Sequence, residues 1–381
     1  MQTVFTNAML VMPNEVVHGS LVVNADGQIT EIQLGQSFVK DAVDCEGDWL
    51  MPGLVELHTD NLEKHMMPRP GVFWPGSSAF FIHDAQLVAA GITTVFDSVV
   101  LGDESQHRNA RGKFLKASLE AIETLSALPT TRAHHFLHLR CELTNPDTCD
   151  HFEKWVDHTM VRLVSVMDHT PGQRQWRDLS KYRQYMERHG RFSEEQFEKL
   201  ITEGLTAQAI YAREQRDRIL AECRKRQLPV ASHDDTNLDH VEQAHSEGIT
   251  ISEFPTTLEA AQRARELGLK NIMGAPNIVL GGSHSGNVSA KAVAQAGLLD
   301  GLSSDYVPSS LLDAVFRLVD ELEMSVPDAT QVVTKNPADM VGLTDRGSIT
   351  LGQRADLVWV RRLRGATPVV RQVWRQGVRV C

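Results

Sequence analysis

The chain has 381 residues, long for one ordinary domain but suited to a barrel of about 250 residues with a small accessory domain. Its 42% hydrophobic and 23% charged content is that of a globular protein and excludes a disordered or fibrous chain. Lys and Arg total 38 against 49 Asp and Glu, and a formal charge of −11 excludes a general nucleic-acid coat or a binder of membrane surfaces. A polyanionic small molecule would need a local basic pocket. The five cysteines (Cys45, Cys141, Cys149, Cys223, Cys381) are scattered, odd in number and without zinc-ribbon spacing, as reduced thiols are. The first residues, MQTVFTNAML, show no basic segment leading into an apolar run, and no stretch approaches the ~20 apolar residues of a membrane span. The expectation is a cytoplasmic enzyme with no membrane and no nucleic-acid partner, its homo-oligomeric state left open.

Residues 1–50 alternate apolar and polar positions around turn signals such as Asn24-Ala25-Asp26-Gly27, which predicts short antiparallel strands. From 51 to 344, apolar runs of strand length alternate with helical segments, as in repeated βα units around a parallel sheet. Strands are expected to end near His58, Asp97, Cys141, Asp168, His233, Phe254, Val279 and Asp305, the number that closes a (β/α)8 TIM barrel. Helices are clearest over Glu194 to Gln227, Leu258 to Leu267 and Leu311 to Met324. Residues 345–381 return to strand patterning, with Ala355-Asp356-Leu357-Val358-Trp359-Val360 followed by β-branched residues from Val369 to Val380. Residues 1–50 and 345–381 are therefore expected to form one small β-sandwich domain, and 51–344 the barrel. No GxGxxG follows the first strand and no Walker loop occurs, so neither dinucleotide binding nor P-loop NTPase activity is indicated.

Barrel enzymes work at the C-terminal ends of their strands, and here several of those ends carry metal-ligand residue types. His58 and Asp60 are two residues apart, so strand geometry turns both to one side and lets both reach one ion. The third strand delivers Glu142, a carboxylate able to bridge two ions, and the fourth delivers Asp168 and His169. The fifth ends in His233-Asp234-Asp235, where a neighbouring carboxylate could orient the imidazole. Glu253 on the sixth suits support of a ligand or of substrate. Asp305 on the eighth could both ligate metal and take a proton from the attacking water, although Asp also caps helices. His and carboxylate donors suit zinc, manganese and iron alike.

Met51-Pro52-Gly53-Leu54-Val55-Glu56-Leu57-His58 resembles the strand-one entry of the amidohydrolase superfamily, and Gly347-Ser348-Ile349 through Ala355-Asp356-Leu357-Val358 resembles its closing β-segment. Within that superfamily, Leu57-His58-Thr59-Asp60-Asn61-Leu62-Glu63-Lys64-His65, Pro68-Arg69-Pro70, Asp168-His169-Thr170-Pro171-Gly172-Gln173 and Ser232-His233-Asp234-Asp235 resemble the ribose-triphosphate diphosphatases of phosphonate breakdown. Gly274-Ala275-Pro276-Asn277 and Gly281-Gly282-Ser283-His284-Ser285-Gly286-Asn287 do so too. The resemblance implies cleavage between the α and β phosphates of a ribose 1-methylphosphonate 5-triphosphate, with one or two divalent ions, zinc first among them. It implies metal ligands at His58, Asp60, Glu142, His169, His233 and Asp305, the last also handling the proton. Phosphate donors are then expected from Lys64, His65, Arg69 and Arg140 and from the loop Gly281, Gly282, Ser283 and His284. Arg177 and Lys181 fit a helix surface equally well. Two departures stand out: Asp60 replaces the second histidine of an HxH pair, and no lysine ends strand four. Either Glu142 bridges two ions, or His58, Asp60, His233 and Asp305 hold one. A cyclic amidase or deaminase acting on a carbon-nitrogen bond is the competing reading, and the basic loops weigh against it. A non-catalytic scaffold would have lost its ligand residues to apolar ones.

Overall fold

The computed structural model describes residues 2–69, 71–102, 109–187, 191–283, 286–362 and 367–381. Strands β1 (Thr3–Val11), β2 (Val16–Val23), β3 (Ile29–Leu34), β4 (Val43–Asp44) and β5 (Trp49–Pro52) precede the barrel. The barrel strands are β6 (Leu54–Thr59), β7 (Ile92–Leu101), β8 (His134–Glu142), β9 (Val161–Met167), β10 (Val230–His233), β11 (Ile251–Glu253), β12 (Lys270–Gly274) and β13 (Gly301–Ser303). Strands β14 (Leu357–Arg361), β15 (Val369–Arg375) and β16 (Val378–Arg379) follow. The barrel strands pair in parallel and in chain order. The others form one curled sheet in the order β16-β15-β14-β5-β1-β2-β3, with β4 beside β1.

Strand β14 shows why the curled sheet holds its place. Leu357 and Trp359 enter its own core with Phe5, Leu10, Leu21 and Ile29, whereas Val358 and Val360 pack with Leu54, Ile92 and Val95 of the barrel. Alternate residues of a strand face opposite ways, so one short run joins two cores. Inside the barrel, Val55, Leu57, Phe96, Phe136, Leu163, Ala231, Ile251 and Ile272 form a further cluster with Ala338, Val341 and Leu343. That cluster is the floor on which the strand-end residues stand.

Two expected strand ends fall elsewhere. β7 continues past Asp97 to Leu101, and β12 stops at Gly274, so Val279 lies on the helix Ala275–Leu280. Pro276 sits in the first turn of that helix, where its missing N–H costs nothing. The expected long helix from Glu194 is interrupted by a five-residue π turn over Gln208–Ala212. Among the described residues no helix is long and apolar enough to cross a membrane.

The barrel closes where β13 meets β6, and one buried carboxylate seals the seam. Glu56 is fully buried; it accepts from His58 N at 2.7 Å, Ser303 Oγ at 2.8 Å and Ser304 N at 2.6 Å. Thr59 bridges Asp305 just above. Burial pushes the Glu56 carboxyl up to about 7 against the pull of these donors. In Glu56→Gln the amide N–H would confront the Ser304 N–H, leaving a buried donor unmade, a loss of about 1–3 kcal/mol. Urea unfolding should register a decrease of that order, and an unchanged midpoint would show that the seam does not depend on the carboxylate.

Candidate active site

Three strand ends turn sharply into the site. Asp234 follows β10, Phe254 follows β11 and Asp305 lies just beyond β13, with φ of 56°, 55° and 52°. Non-glycine residues adopt this left-handed conformation at a cost of roughly 1–2 kcal/mol each, so such a cluster marks a place where orientation outweighs local comfort. The turns open onto a cavity of about 330 Å³ whose wall includes His58, Asp60, Arg140, His169, His233, Asp234 and Asp305. Its opposite side is formed by Gln175, Trp176, Tyr185, Asn277, Gly282, Ser283, Asn287 and Tyr306, among others.

The imidazoles are held from behind by carboxylates. His58 Nδ1 lies 2.7 Å from Glu253 Oε1 and His233 Nδ1 lies 2.8 Å from Glu253 Oε2, with all three side chains buried. An ionised carboxylate only accepts, so both Nδ1 atoms carry a proton, and in the neutral form of either ring the lone pair is left on Nε2. His233 and Glu253 are direct partners across the β10–β11 ladder, which explains the short contact. Burial pushes Glu253 up, but the His58 and His233 contacts outweigh it and hold the carboxyl well below its usual range. Burial lowers His58 to about 4, keeping it neutral, whereas Asp234 and Glu253 overcome burial and raise His233.

The same device recurs at His169, whose Nδ1 lies 2.5 Å from Glu142 Oε2. Its Nε2 then lies 3.8 Å from Asp234 Oδ2, which is 3.3 Å from His233 Nε2. Asp234 Oδ2 is buried and has no hydrogen-bond partner among the described residues. Burial and the neighbouring Asp60 carboxylate push Asp305 up to about 7, with Arg140 pulling the other way. Arg140 itself is 7% exposed, and among the described residues its Nε has no hydrogen-bond partner.

The structure thus brings His58, Asp60, His169, His233 and Asp305 into one cavity wall with Arg140, Gly282 and Ser283. It places the other predicted residues elsewhere. Glu142 Oε2 meets His169 Nδ1, and Glu142 is not among the residues of the cavity wall. Lys64 Nζ is bonded to Tyr306 O and stands over the Tyr306 ring at 4.9 Å, outside the wall. His65 is turned to Gln86 Oε1 at 2.8 Å, and Arg69 is an exposed turn residue bridged to Val72. Gly281 ends the Ala275–Leu280 helix at φ 78° and stays outside the wall; His284 and Ser285 lie outside the described residues. Sequence reading passed over Trp176, Tyr185 and Gln175. They come from a segment organised by Asp168, which receives Gln173 Nε2 at 3.0 Å and, from the π turn, Gln208 Nε2 at 2.6 Å. The motif around Asp168 was visible, but nothing local revealed a partner forty residues on.

These donors fit a divalent cation. Imidazoles held at Nδ1 by carboxylates, beside Asp60, Asp234 and Asp305 in a shielded cavity, are donors of the kind that bind a divalent metal. His169, His233 and Asp234 have ligand atoms within 4.8 Å of one another.

Comparison with known proteins follows the same line. The model of a family described as the amidohydrolase family matches residues 85–381. The chain is 48% identical over 379 residues to the α-D-ribose 1-methylphosphonate 5-triphosphate diphosphatase of Escherichia coli K12, covering 99% of this chain and 100% of that protein. Among solved structures, the 5-methylcytosine deaminase of Klebsiella pneumoniae superposes with a TM-score of 0.64 at 14% identity, covering 100% of this chain and 97% of that one. Dihydropyrimidinase from Brevibacillus agri gives 0.61 at 14% identity, covering 100% and 95%. At such identities these two likenesses establish the fold.

The protonation of Asp305 and His233 sets how tightly metal is held. With Asp305 raised to about 7, metal binding below that pH must displace its proton, and His233, also raised, adds a second. Apparent zinc affinity should therefore weaken at least about tenfold per unit as pH falls below 7. Titration against a chelating dye across this range checks the slope; a flat profile would remove Asp305 from the ligand set.

Proposed function

The chain belongs to the amidohydrolase family, and we propose that it hydrolyses α-D-ribose 1-methylphosphonate 5-triphosphate to the 5-phosphate and diphosphate in phosphonate catabolism, within the cytoplasm. The near-half identity with the E. coli diphosphatase along the whole chain supports the substrate. Arg140 is the structural observation that carries the phosphate chemistry. Its buried Nε has no hydrogen-bond partner among the described residues, and an anionic oxygen entering the cavity would supply one.

His58, His233, Asp60 and Asp305 would hold one ion, and His169 with Asp234 a second; zinc is our assignment, with manganese and iron the alternatives. When bound, such an ion lends Lewis acidity to the phosphoryl oxygens and acidifies water. Asp305 accepts the proton of the attacking water on its carboxylate. Arg140 donates to a non-bridging phosphoryl oxygen, where negative charge must be steadied as the α–β bond breaks. Gly282 and Ser283 lie on the same wall at the loop after β12, where barrels commonly receive phosphate. Diphosphate leaves, and the α phosphate stays on the ribose.

Metal-loaded protein should release diphosphate from a ribose 5-triphosphate and no ammonia from cyclic amides; the reverse outcome would establish carbon-nitrogen hydrolysis instead. His58→Ala should lose metal and turnover together, whereas normal content and rate would exclude it as a ligand. Asp305→Asn, compared at equal metal content, should lower kcat by about 10²–10⁴-fold with KM largely kept. A rate within about threefold of the parent would pass the proton to another group. Arg140→Met should cut kcat/KM by roughly 10–150-fold, the worth of a hydrogen bond to a charged group, without lowering thermal stability. A large stability loss with normal kinetics would make Arg140 a structural residue.

A further inference from the structure

Behind the cavity, between β7, β8 and helix α2 (Gly76–Ala89), lies a second group of buried ionisable side chains. His83, Asp84, Asp97 and His135 are at most 3% exposed. His83 Nε2 lies 2.7 Å from Asp97 Oδ1, and His135 Nδ1 lies 2.7 Å from Asp97 Oδ2. His135 Nε2 then meets Asp84 Oδ1 at 3.3 Å, and Asp84 also takes Arg132 Nη1 at 3.0 Å. His83, Asp97 and His135 are close enough together to hold a metal. Their hydrogen bonding argues otherwise: each ring nitrogen and each Asp97 oxygen already has a partner, and two carboxylates against His135 and Arg132 balance in charge.

The remaining nitrogen, His83 Nδ1, lies 3.1 Å from Asn61 Nδ2, which also lies 2.9 Å from Gln86 Oε1 and 3.3 Å from His65 Nε2. With its Nε2–H donated to Asp97, His83 can only accept at Nδ1. Asn61 opens helix α1 (Asn61–Met66) directly after Asp60, and the Asp60 carboxylate does not cap that helix. The turn that carries Asp60 is therefore tied down by its neighbour.

We propose that His83 is a positioning residue for Asp60: Asp97 fixes its tautomer, its Nδ1 holds Asn61, and Asn61 sets the turn that presents the Asp60 carboxylate to the cavity. This rests on the reading of Asp60 as a metal ligand.

Two substitutions separate positioning from stability. His83→Asn places an amide oxygen where Nδ1 stood, keeping the acceptor for Asn61 and abandoning Asp97. His83→Gln reaches Asp97 and abandons Asn61. Zinc affinity, read by competition with a chelating dye, should fall by about 10–100-fold in His83→Gln and stay within about threefold in His83→Asn, as for residues behind a ligand. Thermal midpoints should rank the other way, because His83→Asn strips a buried carboxylate of a donor. If affinity and midpoint fall in the same order, His83 is structural and the proposal fails. Asp60→Ala is the control. Undiminished zinc affinity there overturns the ligand reading and the proposal with it; a loss there with parent-like His83→Gln overturns the proposal alone. Should a His83 variant not fold, Asn61→Ala leaves the His83–Asp97 bond in place, and parent-like zinc affinity in it is equally fatal.

Discussion

Glu253 occupies the point on which the cavity's chemistry turns. Its two oxygens, each within 2.8 Å of an Nδ1, choose the tautomer of His58 and His233 together and set the rings nearly parallel, 16° apart with centroids at 5.9 Å. Without an acceptor behind them, both rings would be buried with an undecided proton, and neither could offer Nε2 to a cation reliably. Glu142 does the same for His169. Three imidazoles reach one cavity from β6, β9 and β10, and in each case a strand-end carboxylate supplies the orientation.

An acidic cavity is an odd receptacle for a polyanion. Among the described residues, Asp60, Asp234 and Asp305 share its wall with a single arginine, Arg140. Burial, and then the neighbouring Asp60, raise the Asp305 carboxyl. A triphosphate can enter only if positive charge enters too, so the cation and the substrate are coupled through electrostatics before any bond is broken. Among the described residues of the wall, Arg140 carries the one permanent positive charge, placed where a phosphate oxygen can meet it.

Much of this was legible in sequence because barrel strands are short apolar runs and their ends are punctuated by residues that do not belong in a core. His58, His233 and Asp305 announced themselves that way. The supporting roles were less legible. Glu142 and His169 were both visible, but only the distance between them shows that the one orients the other. Lys64 and His65 belong to the right motif, yet their side chains are engaged by Tyr306 and Gln86, and charge counting along a chain cannot see such partners. His83 stands in no sequence motif, because its partners Asp97 and Asn61 approach from a strand and another helix. The seventh strand was misplaced by five residues since an apolar run of that length reads equally as strand or buried helix.

The pairing of β14 with β5 has a consequence for how the molecule is made. Leu357 sits opposite Pro52, and the strand that this pairing anchors leads straight into β6, the start of the barrel. A chain emerging from the ribosome thus carries its first barrel strand for most of synthesis with both seams open, toward β13 on one side and toward the curled sheet on the other. Contacts of such long range are slow to form and leave apolar edges exposed while they wait. The alternation of Leu357, Val358, Trp359 and Val360 between two cores makes this segment a late latch, whose arrival completes both layers at once.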